Sequence, residues 1–210
     1  MQAGNPMTVF RYIVTVYIAY LCGSVSFSVM ISTLFHKADI RKRGSGNAGA
    51  TNMARSFGLG AGLGTLFGDM VKAAIALLAG YFILDVTGMC IAGSACLIGH
   101  CWPLFYDFRG GKGISVGAII ALFISWKLLA IIAAVFFLVA VLSRKVSAGS
   151  IAAAFTMGII GFFMPVPLSL QLLSLFTSLL VLLRHIPNFL RLIRGEEPDF
   201  RLPSSKKESH

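Results

Sequence analysis

The chain has 210 residues, 57% of them hydrophobic and 12% charged, with a formal net charge of +10 at pH 7. That is roughly half the charge of an ordinary soluble domain, and long apolar runs take its place, which excludes a water-soluble enzyme and indicates a polytopic membrane protein of one domain. The basic residues fall between the apolar runs, so they read as a topology signal and no nucleic-acid partner is expected.

The start carries no basic n-region and the first apolar run has no convincing cleavage site, so no signal peptide is expected. Spans are predicted near 10–35, 62–84, 86–106, 114–126, 128–142, 149–164 and 168–183. The fold class is therefore an all-α polytopic membrane protein with about seven transmembrane helices, some of them short. The polar segments 36–61, 107–113, 143–148 and 184–210 then lie on one side and hold 15 of the 18 Lys and Arg. The positive-inside bias puts that side in the cytoplasm, with the N-terminus outside and the C-terminus inside.

After the first span comes Asp39–Arg55, DIRKRGSGNAGATNMAR. Its core, Gly44–Asn52, is a run of small and polar residues whose glycines allow tight turns. Ser45, Asn47, Thr51 and Asn52 offer donors and Arg55 a guanidinium, with Gly49 among them. The set suits an anionic, oxygen-rich ligand. A basic loop touching anionic lipid is the alternative for Arg41–Arg43.

Gly60, Gly64 and Gly68 recur every fourth residue, a spacing that favours close helix packing in lipid. Asp69 and Lys72 lie one helical turn apart inside an apolar span, where an unpaired charge costs about 3 kcal/mol. An ion pair is expected, with an active-site wall as second reading. His100, at the end of the next span, is of the same kind. The four cysteines form no C-x-x-C pair and read as small buried side chains.

The second polar island is Arg109–Gly113, RGGKG, after an aromatic segment and before a helix starting near Ile114. A glycine loop entering a helix N-terminus can hold phosphate, with Gly110 and Gly111 supplying backbone and Lys112 the cation. It lacks the first glycine and the Ser/Thr of a nucleotide P-loop. A break around Ser125-Trp126-Lys127 keeps the basic residues at 109–112 and 144–145 on one face, and Pro165 and Pro167 supply the turn in 149–183. Ser147 and Ser150 are either helix caps or hydroxyls for the polar face.

The third island is Arg184–Arg194. His185, Asn188 and Arg191 lie at i, i+3 and i+6 on a helix that Pro187 requires to begin near it. Residues 195–210 read as a flexible polar cytoplasmic tail following a membrane domain over 1–194. No cluster of carboxylates could hold catalytic magnesium and no acyltransferase His-x4-Asp or Gly-x-Ser-x-Gly motif is present, so neither metal nor cofactor is expected. A site rich in cations and amides but poor in bases suits an anionic substrate with its own good leaving group.

These residues resemble the bacterial acyl-phosphate:glycerol-3-phosphate acyltransferases, membrane enzymes of phospholipid synthesis. The matching features are Tyr20–Ser24, Asp39-Ile40-Arg41 leading into Gly44–Asn52 and Arg55, Asp69-x-x-Lys72, Gly99-His100, Gly110–Gly113 and His185-x-x-Asn188-x-x-Arg191. Ser26, Ser28, Ala73 and Ile186 depart from the family's usual residues. The resemblance implies acyl transfer from acyl phosphate to the 1-hydroxyl of glycerol 3-phosphate in the cytoplasmic (inner) membrane, with a cytoplasm-facing site. Its catalytic residues would be Ser45, Asn47, Arg55 and Lys112. Substrate would also be bound by Gly49, Thr51, Asn52, Gly110, Gly111, Ser147, His185 and Asn188. The partners implied are the two substrates and membrane lipid, with a monomer allowed. A transporter for a phosphorylated metabolite is the alternative, but it would gather polar residues at midmembrane rather than on one face.

Overall fold

The computed structural model describes residues 5–202; the final residues of the expected tail, 203–210, lie outside the described residues. Every regular element among the described residues is helical. Among the described residues nine α-helices follow in chain order, besides two short 3-10 turns: α1 (Pro6–Ser24), α2 (Phe27–His36), α3 (Ala50–Phe57), α4 (Leu59–Cys101), α5 (Ile114–Ile124), α6 (Trp126–Ser143), α7 (Val146–Phe163), α8 (Leu168–Arg184) and α9 (Ile186–Ile193). Large apolar side chains such as Phe10, Phe82, Phe137 and Phe163 face outward, as a lipid-facing surface requires. By length and composition four helical stretches could cross a bilayer, or five if α8 and α9, bent by 55°, form one.

The break predicted between 84 and 86 is present. A straight α4 would run about 65 Å, twice the hydrocarbon thickness of a bilayer. Instead Leu84 (φ −143°, ψ 31°) and Asp85 (φ 52°, ψ −145°) leave helical geometry, and the chain doubles back. The two halves touch through glycines: a Cβ on Gly88 would run into the Gly80 carbonyl oxygen. Gly88→Val therefore costs about 2–3 kcal/mol by overpacking, a drop of roughly 5–10 °C in melting temperature. Thermal unfolding in detergent measures it, and an unchanged midpoint would mean the two halves do not meet there.

The break at Ser125 is present too. Its extended backbone (φ −167°, ψ 134°) ends α5, and its hydroxyl accepts from Lys127 N at 3.2 Å to cap α6. Trp126 is exposed beside it. Pro167 precedes α8, as its missing N–H and fixed φ favour.

The predicted first span, 10–35, is divided. Val25 and Ser26 are extended, separating α1 from α2. Chemistry explains the interruption: it releases the Val25 carbonyl, which accepts from the buried Lys72 ammonium at 2.5 Å. Of the four-residue glycine series, Gly68 and Gly64 approach Phe27 and Ile31 of α2, while Gly60 meets nothing. All four cysteines are free, and Cys96 and Cys101 are buried.

The polar segments all collect at one end of the bundle. Arg41 ties two of them together: it pairs with Asp39 at 2.9 Å, donates to the Tyr106 carbonyl at 2.7 Å and reaches Asp107 at 3.2 Å. The expected tail begins by returning to this end. Phe200 N donates to the Arg144 carbonyl at 2.9 Å, and Lys145 Nζ reaches the Glu197 carbonyl at 2.5 Å and Asp199 at 3.0 Å.

Candidate active site

A cavity of about 590 Å³ opens where these segments meet. One end is lined by Ser45, Asn47, Arg55, Lys112, His185 and Asn188, so all three polar islands contribute. Gly49, Thr51, Asn52 and Ser147 lie on its wall as well. The other end is apolar and runs between α6, α7 and α8 past Leu129, Ile132, Phe136, Ala154, Met157 and Val181. A volume and polarity split of this kind fits an elongated ligand with one charged head.

Asn52 organises the first island. Its Nδ2 donates to the carbonyls of Arg43 and Asn47, each at 3.0 Å, and its Oδ1 accepts from Ser45 N at 3.0 Å. It is buried and its bonding capacity is spent on the loop, so its part is to shape the turn that presents Ser45 and Asn47. Ser45 is exposed and Asn47 half-buried. Arg55 follows on α3. Its Nε is buried without a hydrogen-bond partner among the described residues, while its outer nitrogen donates to the Pro198 carbonyl at 3.2 Å.

The second island meets the cavity through Lys112 and Gly113. Gly113 supplies the left-handed backbone (φ 87°) that turns the loop into α5. Gly110 and Gly111 were expected to offer backbone to a ligand, but neither lines the cavity. The Gly111 N–H is already donated to the His100 carbonyl at 3.1 Å, and the Gly111 carbonyl takes Arg184 at 3.2 Å. Their small size lets the loop lie against the end of α4, with Lys112 carried on it.

The third island forms as its spacing predicts. His185 precedes α9, Pro187 sits in its first turn, and His185, Asn188 and Arg191 all face the cavity. The Asn188 amide is oriented by its neighbours. Its Nδ2 donates to Glu197 at 2.7 Å, which leaves Oδ1 to accept from Lys112. Arg191 Nε completes the chain on the other Glu197 oxygen at 2.7 Å. Ser147 and Ser150 do not cap α7, whose first turn has no side-chain cap. Ser147 Oγ instead lies buried at the cavity wall with no well-formed hydrogen bond among the described residues.

Charge at the polar end is unbalanced. Arg55, Lys112 and Arg191 face a single carboxylate, Glu197. Burial pushes the Lys112 ammonium down to about 8, and Arg191, Arg184 and Arg55 add to that against the opposing Glu197. Burial likewise lowers Arg55, with Glu197 opposing and Arg191 adding. At Glu197 burial favours the neutral acid, but Ser147, Asn188 and Arg191 win and hold it below the usual carboxylate range. A cluster of half-buried cations, with the Arg55 Nε donor unpaired among the described residues, suits an anion.

Sequence reasoning did not single out Glu197, because an acid in a polar tail carries no periodic or motif signal. The ion pair expected between Asp69 and Lys72 is present at 2.8 Å, and Asp69 and His100 also line the inner wall of the cavity, in line with the second reading.

The family model described as glycerol-3-phosphate acyltransferase matches residues 13–195. Among relatives of that same name, the one from Thermoanaerobacter pseudethanolicus is 37% identical over 88% of this chain and 93% of its own. The one from Gluconobacter oxydans is 36% identical over 90% and 93%. The crystal structure of PlsY, an integral membrane glycerol 3-phosphate acyltransferase, in its glycerol 3-phosphate form superposes with a TM-score of 0.85. It is 30% identical over 90% of this chain and 96% of that one. The lysophosphatidic acid form of the same protein gives 0.82 at 29% identity.

Proposed function

The chain belongs to the glycerol-3-phosphate acyltransferase family, and we propose that it moves a fatty acyl group from acyl phosphate to the 1-hydroxyl of glycerol 3-phosphate. The products are lysophosphatidic acid and inorganic phosphate. The observation that carries this reading is a cavity with both a cationic end and an apolar end, since the donor and the product each join a phosphate to a fatty chain.

In this reading the glycerol 3-phosphate phosphate sits among Arg55, Lys112, His185 and Asn188, with the Ser147 hydroxyl donating to it. Ser45 and Asn47 hold the acyl phosphate, whose chain lies along Ile132, Phe136 and Met157. Acyl phosphate is a mixed anhydride, so phosphate leaves readily and no covalent enzyme intermediate is needed. The protein's tasks are to hold two anions together against their repulsion and to stabilise the oxyanion that forms. The departing phosphate accepts the hydroxyl proton, consistent with a cavity wall whose carboxylates, Asp69 and Glu197, are both engaged by cations. The polar end faces the cytoplasm of the inner membrane, by the bias of Lys and Arg towards the segments that build it.

Phosphate release from palmitoyl phosphate by the purified protein tests the reaction. Release that requires glycerol 3-phosphate and yields lysophosphatidic acid supports it; a folded protein giving no release at any chain length would refute it. Ser147→Ala removes one hydrogen bond to a charged oxygen, worth about 1.5 kcal/mol. The expected result is a rise of roughly tenfold in KM for glycerol 3-phosphate with kcat little changed. Steady-state rates at saturating palmitoyl phosphate measure it.

A further inference from the structure

Three polar side chains of α4 have no part in the reaction as assigned above. Lys72 is buried; its ammonium donates to Val25 O at 2.5 Å and to His100 Nδ1 at 3.2 Å, and it forms an ion pair with Asp69 Oδ1 at 2.8 Å. An ammonium can only donate. Nδ1 of His100 therefore accepts, and the ring carries its proton on Nε2. Asp69 lies 3.7 Å from the same Nδ1 and is engaged by Lys72 instead. The ring's orientation and tautomer are thus set by groups from the other half of the α4 hairpin and from the α1–α2 break.

The far edge of that ring meets the glycine loop. A Cβ on Gly111 would overlap Nε2 and Cε1 of His100, so the Gly111 backbone rests directly on the imidazole. The Gly111 N–H is pinned to the His100 carbonyl at 3.1 Å, and its carbonyl is held by Arg184 at 3.2 Å. Lys112 is the next residue in the chain, and its ammonium reaches Asn188.

We propose that His100 is a positioning residue for Lys112. Asp69 and Lys72 lock the imidazole, the imidazole sets where Gly111 lies, and Gly111 fixes where the Lys112 ammonium meets the glycerol 3-phosphate phosphate. A hairpin needing only stability would gain nothing from these groups, since apolar replacements of a buried ion pair are commonly neutral or better. The place of Asp69 and His100 on the cavity wall, with His100 under the loop that carries the cation, gives the cluster a purpose. The inference rests on Lys112 binding the acceptor phosphate, as assigned above.

His100→Asn tests it. The asparagine oxygen keeps an acceptor near the position of Nδ1, so Lys72 stays satisfied, but the distal ring edge under Gly111 is gone. The expected result is a melting temperature close to the parent's and a KM for glycerol 3-phosphate about tenfold higher, with KM for palmitoyl phosphate within about twofold. Asp69→Asn, which loosens the ring without touching the loop, should move the same constant by less. A smaller active fraction with both KM values unchanged, or both rising alike, would make His100 a packing residue and overturn the proposal. A folded parent with no glycerol 3-phosphate-dependent release would remove the assigned reaction and this inference together. An active parent whose constants His100→Asn leaves unchanged would remove the inference alone.

Discussion

Lys112→Met is expected to lower kcat/KM by about 10³-fold while the protein remains folded. Methionine keeps most of the stem, so the loop and its packing survive and only the charge is lost. Among the described residues that charge is the one ammonium at the polar end of the cavity, set against Asn188 and beyond it Glu197. Its position is costly: burial and three neighbouring guanidiniums bring it down to about 8. The sign of the pH dependence follows. In the free enzyme Lys112 is charged below about 8 and loses its proton as pH rises through that value, so kcat/KM for glycerol 3-phosphate falls on the alkaline side. Bound phosphate favours the charged form, so the fall in kcat lies at higher pH. Lys112→Arg separates charge from shape. A guanidinium keeps its proton far above this range, so the alkaline limb should disappear. The rate should still drop, because a planar fork does not replace a point charge seated on one amide oxygen. Stopped assays of lysophosphatidic acid between pH 6 and 10 measure both effects. A parent profile flat through pH 8 to 9.5 would show that the Lys112 ammonium keeps its proton over that range, and normal turnover in Lys112→Met would show that it does not carry the binding charge.

The helix breaks were legible where a local cause exists in the sequence. Ser125 before Trp126 offers a cap, Pro165 and Pro167 remove donors, and the apolar run around 84–86 is too long for one crossing. The division of α1 from α2 was not legible, because its cause is 47 residues away: the Val25 carbonyl is freed to serve Lys72. The site divides in the same way. Ser45, Asn47, Arg55, Lys112, His185 and Asn188 declare themselves by residue type in polar islands, and the fold gathers them. What a short motif hides is which atoms are already used. Asn52, Gly110 and Gly111 belong to the same motifs, yet their polar groups or surfaces are committed within the chain. Glu197 was hidden for the opposite reason. Its importance comes from Asn188 and Arg191 facing it across a turn, which no spacing within 195–202 reveals.

Arg55→Ala should separate activity from stability more sharply than any other change. Arg55 holds a buried Nε with no partner among the described residues, and burial, chiefly, lowers its affinity for its own proton. Its guanidinium makes one hydrogen bond among the described residues, to the Pro198 carbonyl, and the Phe200 ring lies 5.9 Å from its guanidinium carbon. A cation held beside Lys112 and Arg191 with a free donor is unfavourable for the empty protein and favourable only once an anion arrives. Removing it should therefore leave the melting temperature unchanged or slightly raised, as expected where a site keeps function at the expense of stability. The same change should reduce kcat/KM by about 10²–10³-fold, and glycerol 3-phosphate should no longer raise the melting temperature. Arg55→Lys restores charge but not the two-pronged donor, so partial recovery is expected. If Arg55→Ala instead unfolds the protein and keeps normal turnover in the fraction that survives, Arg55 braces the 198–200 segment and the phosphate is held elsewhere. The contrast between the two variants matters because Lys112 is placed by a rigid glycine loop, whereas Arg55 is placed by α3 and covered by the returning chain. A loss of binding in both, with stability kept in both, would require one anion to bridge elements that only the complete fold brings together.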